Sequence, residues 1–127
     1  MTPEAKVKKK VKAILESHGA YYAMPIGAGF GNAGVPDFLI CLRGRFVAIE
    51  CKAADNKPTA LQQRELKNIM TAGGHAFVAN EENISFFESY FNTFDDFDSK
   101  EVVDNVNHIL HKTAITQIQL AKTQKQI

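Results

Sequence analysis

In TPEAKVKKKVKAILESHGA, the apolar residues Ala5, Val7, Val11, Ile14 and Leu15 recur at roughly helical spacing among lysines. Thr2 suits an N-cap, Pro3 the first helical position and Glu4 the positive end of the dipole. Gly19 suits the stop, so the pattern predicts a helix over 3–17. The runs PDFLICL, RFVAIECKA and HAFVAN are rich in Phe, Ile, Val and Leu and predict strands, with a further short one near Tyr21–Met24. Between the second and third runs, Thr59 and Gln62 form a capping-box pattern. Leu61, Leu66, Ile69 and Met70 then offer an apolar helix face that Gly73-Gly74 closes. Residues 46–80 thereby predict a right-handed crossover joining parallel strands. ISFFESYFNTFDDFD predicts a helix resting its Phe and Tyr residues on the body. Val102, Val103, Val106, Ile109 and Leu110 predict another helix, and the tail 113–127 is either frayed helix or a partner-binding extension. The order α–β–β–β–α–β–α places the chain in the α/β class, with a body over 1–94 and a C-terminal helical extension over 95–127.

Three charges interrupt these strands. If Arg43-Gly44 is the hairpin turn, Leu42 pairs with Arg45, and paired positions keep a constant sum of 87. Asp37 then falls opposite Glu50 on one face, and Lys52 shares that face. Two carboxylates that close repel unless they share a proton, are neutralised by Lys52, or bind a divalent cation. An oxygen-rich site without His or Cys suits Mg2+ or Mn2+ rather than zinc.

Composition narrows the class. The chain has 127 residues, 45% apolar and 23% charged, with a formal net charge of +1. This predicts one domain with a real core and no membrane span. Cys41 and Cys51 lie in apolar runs without metal-ligand spacing, as expected of a reduced, cytoplasmic protein. The charge is uneven, with a net +5 over 1–80, −7 over 81–104 and +3 over 105–127. A basic body is compatible with a polyanionic partner. The glycines at 27, 29, 31 and 34 precede a strand rather than a helix and lack a GK[ST] ending, which argues against a nucleotide cofactor. They let a loop turn sharply or pass close to a neighbour.

Pro36-Asp37, followed by Glu50-Cys51-Lys52 on the next strand, resembles the PD-(D/E)XK nuclease signature. The wider context GVPDF, the Gly44 hairpin, IECK, PTxxQ and a helix ending AGG resembles the VRR-NUC (virus-type replication-repair nuclease) branch over roughly residues 4 to 80. The resemblance implies a restriction-endonuclease-like core, with a mixed central sheet whose antiparallel hairpin carries the active site between flanking helices. It implies that Asp37, Glu50 and the Cys51 backbone carbonyl bind Mg2+ or Mn2+, with Glu4 acting through water. Lys52 would orient or help deprotonate the attacking water. Gln62 would lie near the site, a role compatible with its place in the capping box. The products would be a 5′-phosphate and a 3′-hydroxyl. Small proteins of this kind resemble Holliday-junction resolvases, which implies a homodimer on branched DNA.

Lys8, Lys9 and Lys12, with Lys6 and Lys10 on the same helix, and Arg43, Arg45 and Lys57 are the candidates for DNA phosphate contacts. No sequence-reading module is visible, which favours recognition of DNA shape. The expectation is a metal-dependent, structure-selective DNA endonuclease. A sequence-reading nicking or restriction-like nuclease, and a DNA-binding protein with a vestigial site, remain the alternatives. Phe86, Phe87, Tyr90, Phe91 and Phe94 are either a dimer surface or the core side of a helix.

Overall fold

A computed structural model describes residues 1–26, 33–94 and 99–125. The glycines at 27, 29 and 31 lie outside the described residues, as do the side chains of Val102, Val103 and Val106. The chain separates into two compact units, Met1–Asp95 and Asp96–Ile127.

The first unit starts with α1 (Pro3–Ser17), whose N-cap Thr2 accepts the Ala5 N–H on its side chain. Val7, Val11, Ile14 and Leu15 are its buried residues, and Gly19 ends it with φ +68°. Then come β1 (Tyr21–Ala23), β2 (Phe38–Leu42), β3 (Arg45–Cys51), α2 (Ala60–Thr71), β4 (His75–Ala79) and α3 (Ile84–Asn92). The four strands form one sheet in the order β1-β2-β3-β4. The first two pairings are antiparallel and β3–β4 is parallel, so α2 connects parallel neighbours.

The β2–β3 register runs from Phe38 with Ile49 to Leu42 with Arg45, every pair summing to 87. Arg43 (φ 48°) and Gly44 (φ 80°) both have positive φ, as a type I′ turn requires. That turn's twist matches the strands it joins and fixes the register of the whole hairpin.

Side chains alternate across the sheet. Phe38, Ile40, Leu42, Val47, Ile49 and Cys51 join the core formed with α1 and α3. Phe46 and Glu50 turn to the other face, towards α2. The inward line of α2 differs from the expected one. Leu66 and Glu65 are buried and Ile69 is half-buried, whereas Leu61 and Met70 are exposed. The line toward the sheet runs through Gln62, Leu66 and Ile69, and Leu61 and Met70 stand about 100° of helix rotation away from Gln62 and Ile69.

The aromatic residues of α3 and of the turn that follows it mainly build the core. Phe87, Phe91 and Phe94 are buried, Tyr90 is half-buried, and Phe86 is the exposed one, so most of this group cannot form a dimer surface. In the second unit, α4 (Ser99–Lys125) is helical through most of the tail, with Leu110, Ile118 and Leu120 exposed. Among the described residues no helix is long and apolar enough to cross a membrane.

Candidate active site

The site lies at the end of the hairpin opposite its turn. One step past the pair Phe38–Ile49, the register sets Asp37 opposite Glu50. Asp37 Oδ2 accepts the Cys51 N–H at 2.8 Å, which ties the residue before β2 to the end of β3. The Lys52 N–H donates to the Ala79 carbonyl at 2.9 Å and extends the parallel pairing one residue beyond β3. Both acidic strand ends are therefore fixed by backbone.

Glu4, at the start of α1, completes the cluster. Carboxylate oxygens of Glu4, Asp37 and Glu50 lie within 4.8 Å of one another. Lys52 Nζ stands 3.7 Å from Glu50 Oε1 and 4.0 Å from Glu4 Oε1. Lys8 Nζ is 3.4 Å from Asp37 Oδ1. Gln62 Nε2 donates to Glu50 Oε1 at 3.0 Å, while its own Oε1 accepts the Thr59 N–H at 2.9 Å. Its backbone N–H donates to Thr59 Oγ1, so Gln62 closes the capping box and holds Glu50 at once.

Glu50 is buried, with 2% of its surface exposed. Burial, followed by the charge of Asp37, pushes its carboxyl up to about 7 against the opposing pull of Lys52. Among the described residues, its Oε2 is buried without a hydrogen-bond partner. An unsatisfied buried carboxylate oxygen is costly, and one beside two other carboxylates suits a cation. The donors are all oxygens, which fits Mg2+ or Mn2+. The Cys51 thiol is not among them. It sits in the core, where burial pushes it up to about 12.

Two further contacts support the site, one at a glycine expected to pass close to a neighbour and one, at Glu81, with no clear mark in the sequence. Gly34 has φ +84°, and a Cβ there would stand 2.6 Å from the Leu61 carbonyl carbon and 2.8 Å from the Gln62 nitrogen. This lets the segment leading into Asp37 pass against the start of α2. Glu81 Oε2 accepts the Ala54 N–H at 2.9 Å and pins the loop that follows Lys52.

The basic residues divide. Lys8 is drawn into the cluster by Asp37. Lys9 and Lys12 are exposed on α1, and Lys57 is exposed in the loop between Lys52 and α2. Arg43 and Arg45 lie at the turn, about 17 Å or more along β3 from Glu50. Arg43 Nη1 is 3.4 Å from the His18 carbonyl, and the Arg45 guanidinium lies 4.7 Å from the centre of the Phe94 ring. They are not positioned around the carboxylates.

No family model matches the chain. A curated protein, "Putative nuclease p44" of Acyrthosiphon pisum secondary endosymbiont phage 1, is 38% identical over 56 residues. That match covers 43% of this chain and 60% of the phage protein. A solved structure described as a VRR_NUC domain superposes with a TM-score of 0.59 at 28% identity, covering 67% of this chain and 92% of the other. The mixed four-stranded sheet flanked by helices is the restriction-endonuclease-like arrangement, and in that fold the chain is similar to the VRR_NUC domain.

Proposed function

We propose that the protein is a Mg2+- or Mn2+-dependent endonuclease that hydrolyses phosphodiester bonds in DNA and selects branched or junction substrates by shape. The observation that carries this reading is the cluster of Glu4, Asp37 and Glu50 carboxylates within 4.8 Å, with Lys52 between two of them. The partnerless Glu50 Oε2 reinforces it.

Asp37 and Glu50 would hold the cation with the Cys51 carbonyl, and Glu4 would reach it through water. Such a cation supplies Lewis acidity and a more acidic water. The chain's own groups do the rest. The Cys51 N–H fixes Asp37, and Gln62 fixes Glu50. Lys52 places a positive charge where phosphate oxygens gain negative charge, and it orients the attacking water. Exposed Lys9, Lys12 and Lys57 offer contacts to neighbouring phosphates. The expected products carry a 5′-phosphate and a 3′-hydroxyl.

A homodimer fits this substrate, because each site cuts one strand and a junction needs two symmetric cuts. The test is cleavage of four-way junctions, flaps and linear duplex in Mg2+, with the solution mass measured in parallel. Preferential cutting of the branched substrates by a dimer is expected. Equal cutting of duplex by a monomer would overturn the junction reading.

A further inference from the structure

The two oxygens of Asp37 have different neighbours. Oδ2 accepts the Cys51 N–H at 2.8 Å, a bond held by backbone at the end of β3. Oδ1 is therefore the oxygen left for a cation, and Lys8 Nζ stands 3.4 Å from it. Lys8 lies one helical turn after Glu4, so α1 presents an acid and a base of the same cluster on one face.

The two lysines of the cluster differ in freedom. The Lys52 side chain is 14% exposed and held between Glu50 and Glu4. The Lys8 side chain is 37% exposed and reaches Asp37 on a flexible four-carbon stem. With all groups ionised, the three carboxylates and two ammonium groups sum to −1. A divalent cation raises that to +1, and departure of Lys8 returns it to zero. Electroneutrality and the competition for Oδ1 both select Lys8 as the group that leaves.

We propose that Lys8 is an exchangeable counter-ion: it occupies Asp37 Oδ1 until a divalent cation takes that oxygen, and its ammonium then turns to a DNA phosphate. This rests on the metal-dependent reading of the site and adds to it a coupling between two ligands. A cation frees a lysine for DNA, so each ligand strengthens the binding of the other.

The test is calorimetric titration of Mg2+ and, separately, Mn2+ into DNA-free wild type, Lys8→Met, Lys8→Arg and Lys9→Met. Lys8→Met is expected to bind the cation about two- to fivefold more tightly, the range set by release of a part-exposed ion pair. Lys8→Arg keeps the competing charge, and Lys9→Met removes a charge from an exposed position, so both are expected to match wild type. Should Lys8→Met fail to fold, Lys8→Gln carries the same expectation. Unchanged or weaker cation binding in the neutral Lys8 variants overturns this inference alone. Absence of cation binding in wild type overturns both it and the metal-dependent reading.

A second arm reads DNA affinity by fluorescence anisotropy, with cleavage suppressed by phosphorothioate linkages in the DNA so that Lys52 stays in place. Added cation is expected to raise affinity, and Lys8→Met on the same DNA to remove most of that gain. A gain that survives Lys8→Met overturns the transfer of Lys8 to phosphate.

Discussion

Gln62 Nε2 donates to Glu50 Oε1 at 3.0 Å from the same side chain whose Oε1 caps the first turn of α2. One residue thus couples the start of a helix to a buried carboxylate of the site. Gln62→Ala loses both bonds and should cost ~1–3 kcal/mol in denaturant unfolding. It should also weaken cation binding in calorimetry. Stability or cation affinity equal to wild type would show that the coupling carries no energy.

Glu50 predicts an unusual pH dependence. Its carboxyl rises from the ordinary 4.5 to about 7 in the folded protein. Between those values the folded state holds a proton that the unfolded chain has released. The stability it contributes is complete below 4.5 and disappears as pH rises through about 7. In the metal-free protein this amounts to about 3 kcal/mol. Glu50→Gln should therefore melt above wild type at pH 8 in EDTA, with the difference shrinking toward pH 4.5. Added Mg2+ should raise the melting temperature of wild type and leave that of the variant nearly unchanged. A variant less stable than wild type at pH 8 in EDTA would contradict the assignment.

Two glycines with positive φ should respond differently to alanine. At Gly44 a Cβ meets none of the described residues within 4 Å, so Gly44→Ala should cost only the backbone strain, ~1–2 kcal/mol. At Gly34 the same strain adds to contacts of 2.6–2.8 Å with the backbone of Leu61 and Gln62. Gly34→Ala should cost clearly more in chemical denaturation and should reduce cation affinity, because the segment displaced leads into Asp37. Equal losses at the two positions would remove the close approach from the account.

Much of this architecture is legible in the residues. The Arg43-Gly44 turn sets the ladder sum, and the sum brings Asp37 to Glu50 without further information. Helix α1 is marked by Thr2, Pro3 and Gly19, because local caps state their own positions. The inward line of α2 is harder to read, since polar Gln62 and Glu65 occupy inward places that hydrophobicity assigns to Leu61 and Met70. Lys8 is equally concealed among the lysines of α1. Its selection depends on how Val7, Val11 and Leu15 orient the helix on the sheet, and its spacing from Glu4 is the one local sign. Arg43 and Arg45 look like phosphate ligands by residue type alone, and the length of β3 sets them apart from the carboxylates.

That distance has a consequence for DNA binding. Lys12→Ala and Lys57→Ala should each lower the log–log salt slope of DNA binding by about 0.9. Arg45→Ala should leave the slope unchanged and act instead on stability, through the lost contact with Phe94. A slope that falls for Arg45→Ala as much as for Lys57→Ala would place DNA at the turn end of the hairpin.

The most direct measurement is cleavage of labelled branched DNA by wild type, Asp37→Asn and Lys52→Ala, in Mg2+ and in EDTA. Wild type is expected to cut in Mg2+ and not in EDTA, with losses of at least about a hundredfold in either variant. Normal cutting by both variants, or undiminished cutting by wild type in EDTA, would contradict the metal-dependent reading of the site.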